Sequence, residues 1–387
     1  MRTRKRGPAR RIRKRGPARR IRKRGPARRI RTRHVVAALV AGIMTMSLAA
    51  CGGDGEAGAD SFTVGLLLPS RAVPRWEHSD KPLIEKRVKE LCPRCTMAYA
   101  NAQNDATRQR AQVTSMITKG VEVLILDAAD TRALRSSIQE ARKAGVPVVA
   151  YDRLAEGPVS GYVSFDGAQV GRLQGEALLK AMEDKANGGN VVMMNGDPTS
   201  PNAAWYKEGT LSVLTGKVKI ARSYDTLGWN SENAHANMSA AIAALGPNRI
   251  DGVLAANDAI AAGVISALKS AGVSELPPVT GQDADLDAVR RIIKGEQYMT
   301  VYKPFRTEAY AAAAMAVALG RGEGLRDVAT TTTDSPTTEH IPSVLLAPSA
   351  VTVGNIEQTL VKDGVYTIDQ ICTRQLRPAC DRAGLAR

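Results

Sequence analysis

Short apolar segments and longer segments of helical spacing alternate along the chain from Ser61 onward. Thr63–Leu68, Val121–Leu126 and Val146–Tyr151 are continuously apolar, as expected of strands that are buried on both faces. Between them, segments such as Asp105–Lys119 repeat their apolar residues at intervals of three and four, as amphipathic helices do. Apolar strands separated by helices of this length predict a parallel sheet that is covered by helices on both faces.

The same alternation begins again after Asp166 and continues to Val361. A helix is predicted over Gly167–Met182, and further strands and helices follow it in turn. One irregular stretch, Thr330–Thr338, is predicted to be a threonine-rich loop. Because the number of strands exceeds what one compact sheet holds, the pattern predicts an α/β protein with two Rossmann-like lobes, each with a parallel sheet and its own core.

The N-terminal region follows a different pattern. Residues 4–30 are three copies of Arg-Lys-Arg-Gly-Pro-Ala-Arg-Arg-Ile, and the apolar stretch Val35–Ala50 follows them. This stretch is short for a membrane span, which needs about 20 residues, and suits the core of a signal peptide. Its end, Leu48-Ala49-Ala50-Cys51, resembles a bacterial lipobox. We therefore expect residues 1–50 to be a signal peptide with a basic repeat and Cys51 to carry lipid.

Residues 51–61 are rich in glycine and are predicted to be a flexible tether behind the lipidated cysteine. Two alternatives stay open for the N-terminal region. The repeat could be a basic arm that binds anionic lipid or nucleic acid, and Cys51 could follow a signal peptide by chance.

The net charge of +16 is concentrated in the N-terminal region. Residues 1–50 contain 18 of the 54 Lys and Arg residues and none of the 38 Asp and Glu residues. The remainder carries 36 basic and 38 acidic side chains, a net charge of −2. Nucleic-acid binding by the main body of the protein is therefore not expected, because that function depends on surplus positive charge.

Four cysteines remain in the body of the chain: Cys92, Cys95, Cys372 and Cys380. An exported protein meets oxidising conditions, in which cysteines pair. Each close pair lies beside a proline that favours a turn, so we predict local pairing, Cys92 with Cys95 and Cys372 with Cys380. A four-cysteine zinc site and a redox role for the first pair are the alternatives.

Charged, amide or indole side chains follow the predicted strands. In open α/β sheets ligands bind beyond the carboxyl ends of the strands, so these side chains are the candidate site. In chain order they are Arg75, Trp76, Asp152, Arg153, Asp197, Asn202, Trp229, Asn257, Asp258, Asp283 and Lys303.

This set combines fixed hydrogen-bond donors, carboxylate acceptors and two of the three tryptophans. A sugar hydroxyl both donates and accepts, so a carboxylate on one side and a cation or amide on the other hold it best. The apolar faces of a pyranose ring stack on an indole. Opposite charges in a closed cleft neutralise one another, whereas an anionic ligand would need surplus cations. The set therefore favours a neutral monosaccharide.

Several of these residues also have purely structural interpretations. Asp258 could cap a helix, and Arg153 could orient Asp152 without contacting a ligand. No histidine pair has the spacing of metal ligands, and the chain contains no Gly-x-Ser-x-Gly, His-Glu-x-x-His or Walker A motif. We therefore expect no metal, no cofactor and no enzymatic activity.

Several distinctive sequence motifs occur between about Thr63 and Gly364. They are Arg75-Trp76, Tyr151-Asp152-Arg153, Tyr162-Val163-Ser164-Phe165-Asp166, Gly228-Trp229, Ala256-Asn257-Asp258-Ala259, Gly281-Gln282-Asp283-Ala284-Asp285-Leu286 and Met299-Thr300-Val301-Tyr302-Lys303-Pro304. These motifs resemble the periplasmic sugar-binding proteins of ABC importers, in the ribose/galactose/xylose group and most closely its xylose-binding members.

The resemblance implies the type I periplasmic binding protein fold, in which two lobes close about a hinge on one monosaccharide, here D-xylose. It also implies an ABC permease as partner and a monomer, and together with the lipobox it predicts a location on the outer face of the membrane through the lipid on Cys51. Stacking would come from Trp76 and Trp229. Polar contacts would come from Arg75, Asp152, Arg153, Asn202, Asn257, Asp283 and Lys303.

The chain departs from the family pattern at Asp197–Ala204, where a second asparagine is missing, and this departure bears on the contact expected from Asn202. The four body cysteines and the segment after Gly364 are also outside the pattern of the Gram-negative members. The expected N-terminal lobe comprises residues 62–166 and 304–335, and the C-terminal lobe comprises 167–303 and 336–366. Residues 367–387 would form a C-terminal extension.

Two further functions use the same fold. A sugar-sensing receptor that signals to a membrane kinase would have the same binding site, and the sequence does not separate it from a transport receptor. A LacI-type transcription regulator would need an N-terminal helix-turn-helix, where this chain has a Gly-Pro repeat and an apolar run.

Overall fold

The computed structural model describes residues 61–385; the predicted signal peptide, the lipidation site Cys51 and nearly all of the predicted tether lie outside them. None of the helices among these residues has the length and apolarity to cross a bilayer. The strands are β1 Thr63–Leu68, β2 Thr96–Asn101, β3 Val123–Leu126, β4 Val148–Tyr151, β5 Gly161–Phe165, β6 Asn190–Asn195, β7 Lys219–Asp225, β8 Gly252–Ala255, β9 Met299–Tyr302, β10 Thr331–Ser335, β11 Thr338–Leu346 and β12 Ser349–Thr352. The α-helices are α1 Lys81–Leu91, α2 Ala106–Thr118, α3 Arg135–Lys143, α4 Gly167–Met182, α5 Pro201–Leu214, α6 Ser231–Leu245, α7 Asp258–Ser270, α8 Leu286–Ile293, α9 Phe305–Gly320, α10 Ile368–Ile371 and α11 Arg377–Arg382.

The first lobe is built on a seven-stranded sheet in the order β10-β11-β5-β4-β3-β1-β2. All of its pairs are parallel except β10 with β11. In β1 the side chains alternate between the faces of the sheet, so Leu66 and Leu68 pack into one cluster of buried residues and Leu67 packs into another. Burial on both faces explains why this strand is continuously apolar.

The second lobe contains the parallel strands β7-β6-β8 and the antiparallel pair β12-β9. A single bridge, Val253 to Val279, and the hydrogen bond from Tyr298 N to Val279 O join the two groups. The segment around Val279 thus acts as a connecting strand. It completes a mostly parallel second sheet, as the sequence predicts.

The chain passes between the lobes three times. It leaves the first sheet after β5, returns between β9 and α9, and leaves again between β11 and β12. The first two passages lie at the expected boundaries, 166/167 and 303/304. The third does not, because β11 pairs in parallel with β5 and therefore belongs to the first lobe, although the sequence assigned residues 336–366 to the second.

The threonine-rich stretch is also not a loop. It forms β10, which pairs antiparallel with β11 at the edge of the first sheet. Threonine is β-branched and fits a strand, and an edge strand needs little apolar content. This accounts for a strand where the low apolar content predicts a loop.

The C-terminal segment is part of the second lobe's core and not an appendage. Ile371, Leu376 and Leu385 pack in one cluster with Val289 and Ile292 of α8. Disulfide bonds join Cys372 to Cys380 in this segment, and Cys92 to Cys95 after α1. The cysteine pairs are therefore both local.

Close packing between α4 and α5 sets the position of the loop that enters the site. A Cβ on Gly171 would lie 2.0 Å from the carbonyl oxygen of Tyr206, and one on Gly209 would lie 2.1 Å from that of Ala168. Only glycine allows the two backbones to approach so closely. This contact fixes the N-terminal end of α5, which carries Asn202.

Candidate functional site

A buried chamber lies between the lobes where the carboxyl ends of both sheets face each other. Eight of the eleven candidate site residues line it: Trp76, Asp152, Arg153, Asn202, Trp229, Asn257, Asp283 and Lys303. Arg75, Asp197 and Asp258 do not line it. Four residues that the sequence did not single out also line it: Val73, Ser200, Tyr206 and Gln282. The predicted residues that line the chamber therefore come from seven separate segments, each of which follows a strand.

Lys303 lies at the centre of the charged side chains. Its Nζ is 3.0 Å from Oδ1 of Asp283 and 3.4 Å from Oδ2 of Asp152. Asn202 of the second lobe donates from Nδ2 to Oδ1 of Asp152 in the first lobe at 2.8 Å. Cations and carboxylates thus alternate around the chamber, and no single sign of charge dominates it.

Burial and ion pairing act in opposite directions on these groups. Burial disfavours the charge on Asp152, but Lys303, Arg75 and Arg153 outweigh it, so the pKa of Asp152 lies below its ordinary value. Burial also disfavours the charge on Lys303, yet Asp152 and Asp283 hold the pKa of Lys303 above its ordinary value. Both groups are therefore charged at neutral pH.

Arg75 is not among the residues that line the chamber, contrary to the prediction. It is almost fully buried, donates bidentately to Asp80 at 2.6 and 2.9 Å, and reaches Glu308 at 2.5 Å. Its guanidinium lies 4.2 Å from the ring centroid of Trp76 and donates to Asp152 at 3.2 Å. Arg75 thus supports two chamber residues, because Asp80 and Glu308 occupy its remaining donors.

Asp258 also does not reach the chamber. Its carboxylate accepts from Nε2 of Gln297 at 2.7 Å, from Oγ1 of Thr300 at 3.0 Å and from the backbone N–H of Asp285 at 2.9 Å, all within the second lobe. Burial raises the pKa of Asp258 to about 7. The helix cap is the preceding residue, Asn257, whose Oδ1 accepts from the N–H of Ile260 at 2.9 Å.

The two tryptophans lie in the same chamber, and each is held by a neighbouring tyrosine in edge-to-face contact. Trp76 packs on Tyr151 at a centroid distance of 6.5 Å, and Trp229 packs on Tyr206 at 6.2 Å. A Cβ on Gly196 would lie 1.9 Å from the Trp229 ring, so this glycine makes room for the indole.

Several buried polar atoms of the chamber have no hydrogen-bond partner among the residues that the structure describes. They are Nε1 of Trp76, Nε1 of Trp229, Oγ of Ser200, Oδ1 of Asn202 and Oε1 of Gln282. An unpartnered buried polar atom costs about 1–3 kcal/mol, so such atoms are rare in folded proteins. Their concentration around one chamber indicates a ligand that supplies both donors and acceptors.

Three residues of the chamber have a backbone conformation that non-glycine residues rarely adopt. The φ angles are +55° at Asp152, +53° at Trp229 and +98° at Asp283. Such conformations cost on the order of 1–3 kcal/mol each and concentrate at functional sites. These backbone conformations lower the stability of the fold, and they direct the three side chains into the chamber.

The free space between the chamber's side chains is about 20 Å³, roughly enough for one water-sized sphere. The lobes also touch beside the chamber, where Thr131 N of the first lobe donates to the Thr199 carbonyl of the second at 3.3 Å. A larger ligand therefore requires the lobes to move apart.

Of the four additional lining residues, some could have been identified from the sequence and others could not. Tyr206 lies four residues after Asn202 on a helix that begins at Pro201, so its position on the same face was accessible from spacing. Gln282 directly precedes Asp283. Ser200 and Val73 lie in loops without periodicity, and only the folded arrangement identifies them.

Comparison with known proteins places the chain in a family. The family profile described as "Periplasmic binding protein domain" matches residues 64–324. The D-xylose-binding periplasmic protein of Escherichia coli K12 is 35% identical over 314 residues, which span 80% of this chain and 92% of that protein. The multiple sugar-binding periplasmic receptor of Rhizobium radiobacter is 33% identical over 333 residues, which span 81% and 93%.

A solved structure agrees with this placement. The solute-binding protein of an ABC transporter from Clostridium phytofermentans, with bound β-D-glucose, is 30% identical and has a TM-score of 0.73, covering 80% of this chain and 99% of its own. Fold, chamber and relatives together define a two-lobed solute-binding protein. The chain belongs to the periplasmic binding protein family, which confirms the fold and the resemblance predicted from sequence.

Proposed function

We propose that the protein is an extracytoplasmic solute-binding lipoprotein that delivers a neutral monosaccharide, D-xylose in the first instance, to an ABC permease. Lipid on Cys51 anchors it to the outer face of the membrane, and one monomer binds one sugar. The relatives named as binding D-xylose and several sugars support this proposal.

The chemistry of the chamber carries the proposal. Asp152 and Asp283 alternate with Lys303 and Arg153, so a neutral ligand leaves these charges balanced whereas an anion does not. The unpartnered atoms include two indole N–H donors and the side-chain oxygens of serine, asparagine and glutamine. A ring bearing several hydroxyls satisfies both kinds of atom, since each hydroxyl donates and accepts.

The two indoles account for the rest of the ligand. A pyranose presents apolar C–H faces, and their burial on Trp76 and Trp229 is favourable because it removes apolar surface from water. The three passages between the lobes form a hinge, so the chamber opens to admit the sugar and closes on it. The closed shape is the form that a permease would recognise.

A sugar panel tests the proposal. Binding of D-xylose, D-glucose, L-arabinose and D-ribose to the mature chain would be measured by isothermal titration calorimetry and by the change in tryptophan emission. We expect D-xylose to bind most tightly of the four. Tighter binding of D-glucose, the ligand of the C. phytofermentans protein, would show that D-xylose is not the preferred sugar. The protein would still be a monosaccharide-binding protein. No response to any of the four by folded protein would refute the proposal.

Membrane attachment has a separate test. The Cys51→Ser variant should lose lipid labelling and leave the membrane fraction, and its affinity for sugar should be unchanged. Labelling that persists in this variant would refute lipidation at Cys51.

A further inference from the structure

Asp197 is a buried carboxylate that joins two loops of the second lobe. It lies between β6 and α5 and is 6% exposed. Its Oδ1 accepts from the backbone N–H of Thr199 at 2.9 Å and from the hydroxyl of Thr199 at 2.6 Å. Its Oδ2 accepts from the backbone N–H of Gly228 at 2.6 Å. One side chain therefore holds both its own loop and the loop that follows β7.

The loop after β7 carries the Trp229 indole. Gly228 and Trp229 both have positive φ angles, +69° and +53°, and the N–H of Trp229 donates to the carbonyl of Thr226 at 3.2 Å. This turn is strained at a tryptophan, so it needs an external contact to hold it. The charged hydrogen bond from Gly228 N–H to Asp197 supplies that contact directly before the indole.

The other loop makes a direct contact between the lobes. The carbonyl oxygen of Thr199 accepts from the N–H of Thr131 at 3.3 Å and from its hydroxyl at 3.2 Å. Thr131 belongs to the first lobe, in the loop after β3. Pro198 and Pro201 flank the Thr199 loop, and their fixed φ angles limit its freedom. We call this pair of hydrogen bonds the Thr131–Thr199 latch.

We propose that Asp197 is a positioning residue that couples the Trp229 indole to the Thr131–Thr199 latch. The two loops share one carboxylate, so an arrangement that orders one of them also favours the other. A sugar stacked on Trp229 holds the Gly228 turn, which keeps Asp197 and Thr199 in the position that the latch requires. This inference rests on the proposed function, because it assigns the sugar as the ligand that is retained.

The Asp197→Asn variant tests the coupling with little change in volume. An amide has one acceptor oxygen, so it accepts from Thr199 or from Gly228, and its NH₂ group faces an N–H at the other position. We expect the Kd for D-xylose to rise about tenfold in stopped-flow fluorescence. The change should lie in the dissociation rate, with the association rate within about twofold of the wild type, because sugar enters while the lobes are apart and the latch is broken.

Asp251→Asn is the matched control. Asp251 also anchors a loop of the second lobe, accepting from the N–H of Asn190 at 2.8 Å, but it does not line the chamber. This variant should leave both rate constants for sugar unchanged, even where it lowers the melting temperature. Equal acceleration of dissociation in both variants would show general loosening of the lobe and overturn the coupling.

A double-mutant cycle with Thr131→Val separates positioning from stability. Thr131→Val removes one latch donor without touching Asp197 or the chamber. If Asp197 acts through the latch, Asp197→Asn accelerates dissociation less in the Thr131→Val background than in the wild type. Additive effects would overturn the coupling.

Amide hydrogen exchange tests the same contacts without sugar. Asp197→Asn should speed exchange at both Gly228 and Thr131, and Asp251→Asn at neither. A wild type that binds no sugar but shows this pattern would refute the proposed function and keep the link between the loops. A wild type that binds sugar, with unchanged exchange and unchanged dissociation in Asp197→Asn, would refute the coupling alone.

Discussion

Lys303 is the residue whose removal most directly tests the electrostatic account of the chamber. The Lys303→Met variant keeps the length of the side chain and deletes a charge that is 2% exposed and lies 3.0 Å from Asp283 and 3.4 Å from Asp152. Removal of one partner of a buried ion pair costs about 3–5 kcal/mol, because the remaining charge is left buried without compensation. Arg75 still lies 3.2 Å from Asp152 and 3.7 Å from Asp283. We therefore expect the lower end, a loss of about 3 kcal/mol in the free energy of unfolding at pH 7.

The loss should depend on pH in a defined direction. In the wild type the pKa of Asp152 lies below its ordinary value, so charged Asp152 stabilises the fold above about pH 4. That contribution disappears as the pH falls through the lowered pKa. The variant lacks Lys303, the cation that most favours charged Asp152. Charged Asp152 therefore contributes less stability to the variant, and less is lost when the pH falls. The difference in the free energy of unfolding between wild type and variant should therefore become smaller below about pH 4.

Urea unfolding followed by circular dichroism at pH 7 and pH 3 measures both effects. Lys269→Met is the matched control, because Lys269 pairs with Glu296 at 2.7 Å on the surface, where an ion pair contributes about 1 kcal/mol or less. Lys303→Met combined with Asp283→Asn should recover part of the loss, since it removes one uncompensated carboxylate. A loss below about 1 kcal/mol in Lys303→Met, or a gap that does not change with pH, would refute the reasoning.

Three further changes give separate tests. Asp283→Ala should weaken sugar binding roughly 30- to 1,000-fold in calorimetry while circular dichroism stays unchanged, because lost charge-assisted hydrogen bonds cost about 2–4 kcal/mol; wild-type affinity would show that the site is misplaced. Gly196→Ala places a Cβ 1.9 Å from the Trp229 ring and should weaken binding at least tenfold with a shift in tryptophan emission, and unchanged affinity would contradict the placement of the indole. Cys372→Ser opens the bond to Cys380, which closes a loop with a sequence separation of 8, and should lower stability by about 2–3 kcal/mol without changing sugar affinity, whereas an equal melting temperature would argue against that bond.

The sequence was a good guide wherever a local signal determines the structure. Helix α4 begins and ends at the predicted residues, because Asp166 caps it and its apolar face is regular. The predicted strand ends also identified most of the chamber. This works because the direction of a parallel strand fixes which of its ends faces the ligand.

The failures have a common physical cause, which is that partners distant in sequence decide where a side chain points. Arg75 follows a strand as predicted, but Asp80 and Glu308, the latter 233 residues further along the chain, occupy donors that would otherwise be available to a ligand. Asp258 is drawn into the second lobe by Gln297 and Thr300. Local sequence shows that a charge lies near the site, but only the assembled core shows which way it faces.

The arrangement of the three passages between the lobes restricts how the molecule can move. Phe165 is in register with Leu346 in one sheet, and Tyr302 is in register with Ser349 in the other, so the three connecting segments run side by side. A single connecting segment would let the lobes rotate relative to each other in any direction. Three adjacent segments resist twisting and bend together as one hinge. Three adjacent connections therefore favour bending of the lobes about one axis over twisting between them. Any protein that recognises the shape of this molecule would consequently meet two defined forms, open and closed, with few intermediate shapes.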